Sequence, residues 1–414
     1  MNSAASTCLA INGERLLQRI AQLAQIGAID GGGVCRLALT DEDKAGRDQV
    51  VSWMRDLGMR VEIDQIGNII GTRAGRLDVA PVMTGSHIDT VRTGGRYDGN
   101  LGVLAGLEVV ASLNDADVQL DRPLQVVAFT NEEGARFAPD MMGSLVFQGG
   151  LSLQEALDTV GIDGSTVREN LERIGYAGSV PCGQPDVHAY MELHIEQGPV
   201  LEHESIDIGA VTGVQGICWL EFEVHGVSNH AGTTPMHLRH DAGVVAQQIG
   251  SFVRQLTERY GPPQLGTVGR CELFPNLVNV IPSKAVFTVD LRNVDKASLD
   301  QAEQEVLDFA RQAAEREGVQ IKHRHLARFD PVQFDERLIS KVEQHAKDLG
   351  CSVKRMPSGA GHDAQMLARS CPTGMIFVPS VRGLSHNPAE FTHDKDLIAG
   401  CSILLSTLVE LARE

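Results

Sequence analysis

The chain has no Cys-x-x-Cys pair, no apolar run that approaches membrane-spanning length, and no excess of positive charge. Its eight cysteines, at 8, 35, 182, 218, 271, 351, 371 and 401, are scattered. Such spacing argues against a zinc knuckle or a disulfide framework and for reduced thiols. A helical membrane span needs about 20 apolar residues, and a secretory signal needs a charged start followed by an apolar core. Neither pattern is found, so a cytoplasmic protein is expected. Lysine and arginine number 36 against 54 acidic residues, a formal net charge of −18. Nucleic acid and anionic membranes are themselves negative, so neither is an expected partner. No repeat or low-complexity segment stands out.

What is there is length and alternation. A chain of 414 residues is long for a single core and suggests two domains. Helical periodicity over Glu14 to Gln25 and Asp41 to Leu57 precedes strand-like Met59 to Asp64 and Asn68 to Thr72. Helix, strand and polar loop then alternate, as in a three-layer α/β/α domain. From about Thr212 to Arg328 the order changes. Strand-like Ile217 to Val224 is followed by a helix over Asp241 to Arg259, strands near Val268 to Phe274 and Ala285 to Arg292, a helix over Leu299 to Glu317, and Gln320 to His325. That order suits a small α+β sheet with two helices on one face. The expected organisation is therefore a discontinuous domain of residues 1–211 and 329–414, with 212–328 inserted.

Five possible metal ligands sit at strand ends or in the loops that follow them. The strand Ala80 to Ser86 breaks at Gly85 and presents His87, with Asp89 two residues on as a plausible partner that fixes the imidazole tautomer. Asp98 lies in Gly94-Gly95-Arg96-Tyr97-Asp98-Gly99, just before a helical run from Leu101 to Leu113. The buried strand Leu124 to Thr130 runs into Asn131-Glu132-Glu133-Gly134, where one carboxylate can bind metal while the other handles a proton. Around His194 the chain alternates, with Met191, Leu193 and Ile195 on one face and Glu192, His194 and Glu196 on the other; a half-exposed strand accounts for this as well as a ligand platform does. The strand Met375 to Pro379 leads into a loop carrying His386. Taken singly, these are a turn, a solvated acidic pair and a loop histidine. Together they sit where open α/β sheets gather ligands, and they point to a two-metal hydrolase.

The runs Gly85-Ser86-His87-Ile88-Asp89-Thr90, Asp98-Gly99, Asn131 to Phe137, Glu192 to Pro199, Ser228-Asn229-His230-Ala231-Gly232-Thr233-Thr234-Pro235 and Ser385-His386-Asn387 resemble the amidase, hydantoinase and carbamoylase branch of the M20 metallopeptidase clan. The match runs in family order from about residue 80 to the C-terminus. The resemblance implies a dinuclear metallohydrolase domain with an inserted lid and dimerisation domain, and hence a homodimer. It implies two divalent ions per subunit, Mn, Co, Ni or Zn, bridged by Asp98, with His87 and His194 completing one site and Glu133 and His386 the other. Glu132 becomes the proton shuttle and His230 the oxyanion stabiliser. Asn279 and Arg292 are assigned to a small-molecule ureido substrate, the planar fork of Arg292 suiting a carboxylate; Gln197, Gln215 and Ala360 are further hydrogen-bonding candidates. Taken singly, His230, Asn279 and Arg292 are a loop histidine, a turn asparagine and a surface arginine.

The implied reaction is hydrolysis of N-carbamoyl-L-amino acids to the L-amino acid, ammonia and carbon dioxide. Allantoate amidohydrolase and β-ureidopropionase activities are the near alternatives, and an aminoacylase or dipeptidase a more distant one. The peptidases of the clan usually carry an acid at the position of His194, which disfavours a peptidase. A non-catalytic metal-dependent binding protein is expected to lose the shuttle, yet Glu132 is retained.

Overall fold

The computed structural model describes residues 9–183 and 186–414. Cys8 lies outside them, and the other seven cysteines are free thiols. The chain divides into two compact units: one runs up to Thr212 and resumes at Phe334, and the other comprises Gly213–Gln333.

In the larger unit the strands before the insertion are β1 (Arg60–Ile63), β2 (Ile69–Arg73), β3 (Val82–His87), β4 (Leu124–Phe129), β5 (Ala189–Ile195) and β6 (Ile208–Val214, which runs into the boundary), and Val353–Ser358 and Thr373–Val378 follow it. The four central positions of the sheet are β4, β3, β5 and the late strand Thr373–Val378, and all three pairings among them are parallel. Parallel strands covered on both faces need apolar side chains on both, and β3, β5 and Thr373–Val378 are buried at every position. This corrects one reading of the alternation around His194. β5 is not half-exposed; its polar face is buried as deeply as its apolar one. β1 and β2 extend one side antiparallel, and β6 the other.

Parallel order aligns the C-terminal ends of the four central strands; His87 and His194 lie on those ends, and Asp98, Glu133 and His386 in the loops that follow. Helix Asn100–Asp115, which follows the first of these loops, is buried from Asn100 to Leu113. Each fully buried leucine among them contributes roughly 1.5–3 kcal/mol, so the residues just before this helix stand on a rigid support. Among the described residues no helix is long and apolar enough to cross a membrane.

In the smaller unit β7 (Gly216–His225), β8 (Leu265–Thr267), β9 (Cys271–Phe274), β10 (Lys284–Asn293) and β11 (Gln320–Phe329) form an antiparallel sheet in the order β11-β7-β10-β8, with β9 also on β10. Ala285, Phe287, Val289 and Leu291 alternate inward from β10 against helices Ala242–Tyr260 and Lys296–Glu317. The strand expected near Val268 to Phe274 is two short ones, interrupted at 268–270, where Gly269 supplies no side chain to pack. The last strand runs to Phe329, past the expected His325, because β7 offers pairing as far as Ile217. The unit closes with Val332–Gln333 on Val214 and Gly213, five residues beyond the expected boundary at 328.

Candidate metal centre

Three of the five ligand candidates, His87, His194 and Glu133, are oriented by a backbone group. His87 ends β3, 2 % exposed, with Nδ1 2.9 Å from the carbonyl oxygen of Asp89. His194 lies on β5 with Nδ1 2.8 Å from the carbonyl oxygen of Ile195. A carbonyl only accepts, so in both rings Nδ1 carries the hydrogen and Nε2 is the atom offered to the site. The expected role of the Asp89 side chain needs correcting here. Its carbonyl orients His87, while its carboxylate accepts the amides of Glu132 at 3.2 Å and Glu133 at 3.3 Å.

Asp98 stands between the imidazoles. Oδ1 is 3.7 Å from His87 Nε2 and 3.2 Å from His194 Nε2, and Oδ2 is 3.4 Å from His386 Nε2. Gly99 makes the turn possible: its φ is +65°, and a Cβ there would lie 2.4 Å from the His87 ring. The glycine thus lets the backbone approach the imidazole. Glu133 has its own division of labour. Oε1 accepts the Val91 amide at 3.3 Å, and Oε2 faces His386 Nε2 at 3.2 Å. Two ligand groups result, His87–Asp98–His194 and Asp98–Glu133–His386, each with its donor atoms within 4.8 Å of one another and both including Asp98. Glu132 belongs to neither group, and its Oε2 is 3.3 Å from His87 Nε2.

The adjoining cavity, about 120 Å³, is faced by Asp98, Glu132, Glu133 and Asp140 and by His194, His362 and His386, with no lysine or arginine. So many acids in a buried place call for positive charge. Burial works against the charged form of His194, yet Asp98 outweighs it and raises the ring to about 9. Hydrogen bonds with Asp98 and Glu133 raise His386 to about 10. Asp98 is held well below the usual carboxylate range, because His194 and His386 outweigh its burial. Burial, with the charges of Asp363, Glu133 and Asp98 behind it, pushes Glu132 well above that range. A donor set of imidazole nitrogens and carboxylate oxygens that otherwise hold protons between them fits borderline divalent ions such as Mn, Co, Ni and Zn.

Three loop residues at strand ends, Asn131, Gln197 and His386, have φ of 56°, 56° and 53°. Left-handed backbone costs a non-glycine residue roughly 1 kcal/mol or more, and such strain gathers at functional sites.

Of the expected substrate residues, Gln197 and Ala360 line the cavity. The Gln197 Nε2 donates to Asp98 Oδ2 at 2.8 Å, and its Oε1 is buried without a partner. His230, Asn279, Gln215 and Arg292 belong to the smaller unit. His230 and Asn279 are neighbours there, the Ala231 amide donating to the Asn279 carbonyl at 2.9 Å. Gln215 lines a separate cavity with Arg254 and Gln264. Arg292 grips Asp290 through Nε at 3.1 Å and a terminal nitrogen at 3.0 Å.

Two supporting residues escape the sequence reading. Arg36, fully buried, donates to the Ile88 carbonyl at 2.7 Å and the Asn100 side chain at 2.6 Å, tying the His87 loop to the helix after Asp98. Glu390 accepts the amides of Tyr97 at 3.0 Å and Asp98 at 3.2 Å. A lone arginine near the N-terminus gives no signal of this; Glu390, four residues after His386, gives a faint one.

The model of peptidase family M20/M25/M40 matches residues 83–410. The N-carbamoyl-L-amino-acid amidohydrolase of Rhizobium meliloti is 42 % identical over 97 % of each chain. The ureidoglycolate hydrolase of Arabidopsis thaliana is 35 % identical over 98 % of this chain and 88 % of its own. A crystal structure of an amidase of the hydantoinase/carbamoylase family from Burkholderia multivorans superposes with a TM-score of 0.96 at 45 % identity, covering 98 % of this chain and 99 % of the other.

Proposed function

The chain belongs to peptidase family M20/M25/M40, and from that premise we propose that it hydrolyses the ureido C–N bond of N-carbamoyl-L-amino acids, releasing the L-amino acid, ammonia and carbon dioxide. The observation that carries this reading is the pair of ligand groups sharing Asp98, with a second buried acid, Glu132, beside them and outside both. Two divalent ions per subunit are proposed, one held by His87, Asp98 and His194, the other by Asp98, Glu133 and His386. Held there, such ions would supply Lewis acidity to the carbonyl and lower the pKa of water toward neutral.

The remaining work falls to the chain. Glu132 takes a proton from the attacking water and passes it to the leaving nitrogen, a role suited to a carboxylate whose proton affinity is raised by burial. Asp89 fixes its backbone, and Gln197 steadies Asp98. For His230 we propose donation to the developing oxyanion. Its Nδ1 accepts the Gly232 amide at 3.0 Å, so the ring hydrogen is on Nε2. Arg292 is proposed to hold the substrate carboxylate, with Asn279, Gln197, Gln215 and Ala360 as hydrogen-bonding partners. A homodimer is proposed as well, tested by sedimentation.

The Arabidopsis relative, with its ureidoglycolate hydrolase name, supports a second reading in which another ureido acid, ureidoglycolate or allantoate, is the substrate. A panel of N-carbamoyl-L-amino acids, allantoate, ureidoglycolate, N-acetyl amino acids and dipeptides decides between them. Ammonia release should be fastest from N-carbamoyl-L-amino acids. Faster release from ureidoglycolate or allantoate selects the second reading, and faster turnover of acetyl or peptide substrates rejects both.

A further inference from the structure

The smaller unit carries another set of metal-ligand side chains, unused by the chemistry above. Cys218 on β7, Glu303 on helix Lys296–Glu317 and His325 on β11 offer donor atoms within 4.8 Å of one another. The backbone explains how they meet. His325 pairs with Leu220, and Arg328 pairs with Cys218; two steps along β7 answer to three along β11, through a bulge between His325 and Ala327. In a regular strand His325 and Arg328 would face opposite sides of the sheet. The bulge turns both toward the helix. Both then reach Glu303, His325 Nε2 at 2.6 Å from Oε1 and Arg328 Nε at 3.0 Å from Oε2. Arg328, which also pairs with Asp300 and Asp330, thereby fixes one carboxylate oxygen and leaves the other turned to the imidazole.

We infer that Cys218, Glu303 and His325 form a binding site for one zinc-like divalent ion, separate from the nitrogen-and-oxygen centre of the larger unit. Thiolate, imidazole and carboxylate are the ligand types zinc takes. His325 is 43 % exposed, so water has access to a fourth position. Binding forms the sulfur–metal bond and releases the thiol proton to solvent, with no change of oxidation state. The ion would clamp the bulged strand to the helix.

Cobalt(II) provides the probe, because a cysteine thiolate gives it a near-ultraviolet sulfur-to-metal charge-transfer band and the larger unit's centre contains no cysteine. Full-length protein titrated with cobalt should develop that band as it takes up one thiolate-bound ion per chain beyond the two proposed for the larger unit, and zinc should displace it. Cys218→Ser should abolish it. His325→Ala, on the surface and safe for folding, should weaken cobalt binding at least about tenfold, the cost even of an outer-sphere change. Ammonia release should be unchanged in both variants. A wild-type protein without the band, or a band that survives both substitutions at unchanged affinity, overturns the inference.

Discussion

Asp98 Oδ1 stands 3.2 Å from His194 Nε2, while the opposite nitrogen of that ring faces the Ile195 carbonyl. Asp98 therefore favours a cation at that nitrogen, a proton where no metal is bound. The same holds for His386, whose Nε2 faces Asp98 and Glu133.

Metal and proton therefore compete for the same nitrogens, and the sign follows from the raised values of about 9 for His194 and about 10 for His386. Below about 9 both rings are protonated in the metal-free protein, so loading at pH 7 should release a proton from each. Apparent metal affinity should climb with pH up to about 9, where release is complete, and level off as release falls between about 9 and 10. Calorimetry in buffers of different ionisation enthalpy counts the protons. No release at pH 7 would show that the rings are already neutral.

Chelation should abolish ammonia release, and a divalent transition ion should restore it, because both candidate ligand groups converge on Asp98 beside the acidic cavity. Metal should also raise the unfolding temperature. A ligand bound only by the native state, at a hundred times its Kd, adds roughly 2.7 kcal/mol. Full activity in protein shown by elemental analysis to be metal-free rejects the assignment.

The convergence of the candidate ligands was legible because each lies at or after the end of an apolar strand, and parallel strands end together. The pairing of Asp98 with all three imidazoles was legible only through the family resemblance, since nothing in local spacing says that residues 98, 194 and 386 converge. Asp89 was misread in detail because sequence cannot distinguish a carbonyl from a carboxylate as the partner of a ring. Arg36 and Glu390 went unseen for a similar reason: the Ile88 carbonyl and the Tyr97 amide that they meet are backbone groups distant in sequence. The Asp290–Arg292 pair could have been read from period two, which places both side chains on one face of β10. The bulge after His325 left no trace, because no glycine marks it.

Glu132→Gln should lower turnover roughly a hundred- to ten-thousandfold, the usual contribution of a general acid-base group. Metal content should stay near that of the wild type, because Glu132 lies outside both ligand groups. Loss of metal in this variant would make Glu132 a ligand and leave the shuttle unassigned.

Arg292→Lys tests whether the smaller unit reads the substrate carboxylate. The guanidinium already meets Asp290; lysine can keep that ion pair, so the sheet should stay intact while the planar fork is lost. A hydrogen bond to a charged group is worth roughly 1.5–3 kcal/mol, or about ten- to a hundredfold in kcat/KM. That penalty should appear with an N-carbamoyl-L-amino acid and nearly vanish with its carboxamide, which lacks the charge the fork would grip and should already be a poor substrate for the wild type. Equal penalties on the two would mean that Arg292 serves Asp290 and the strand, not the substrate.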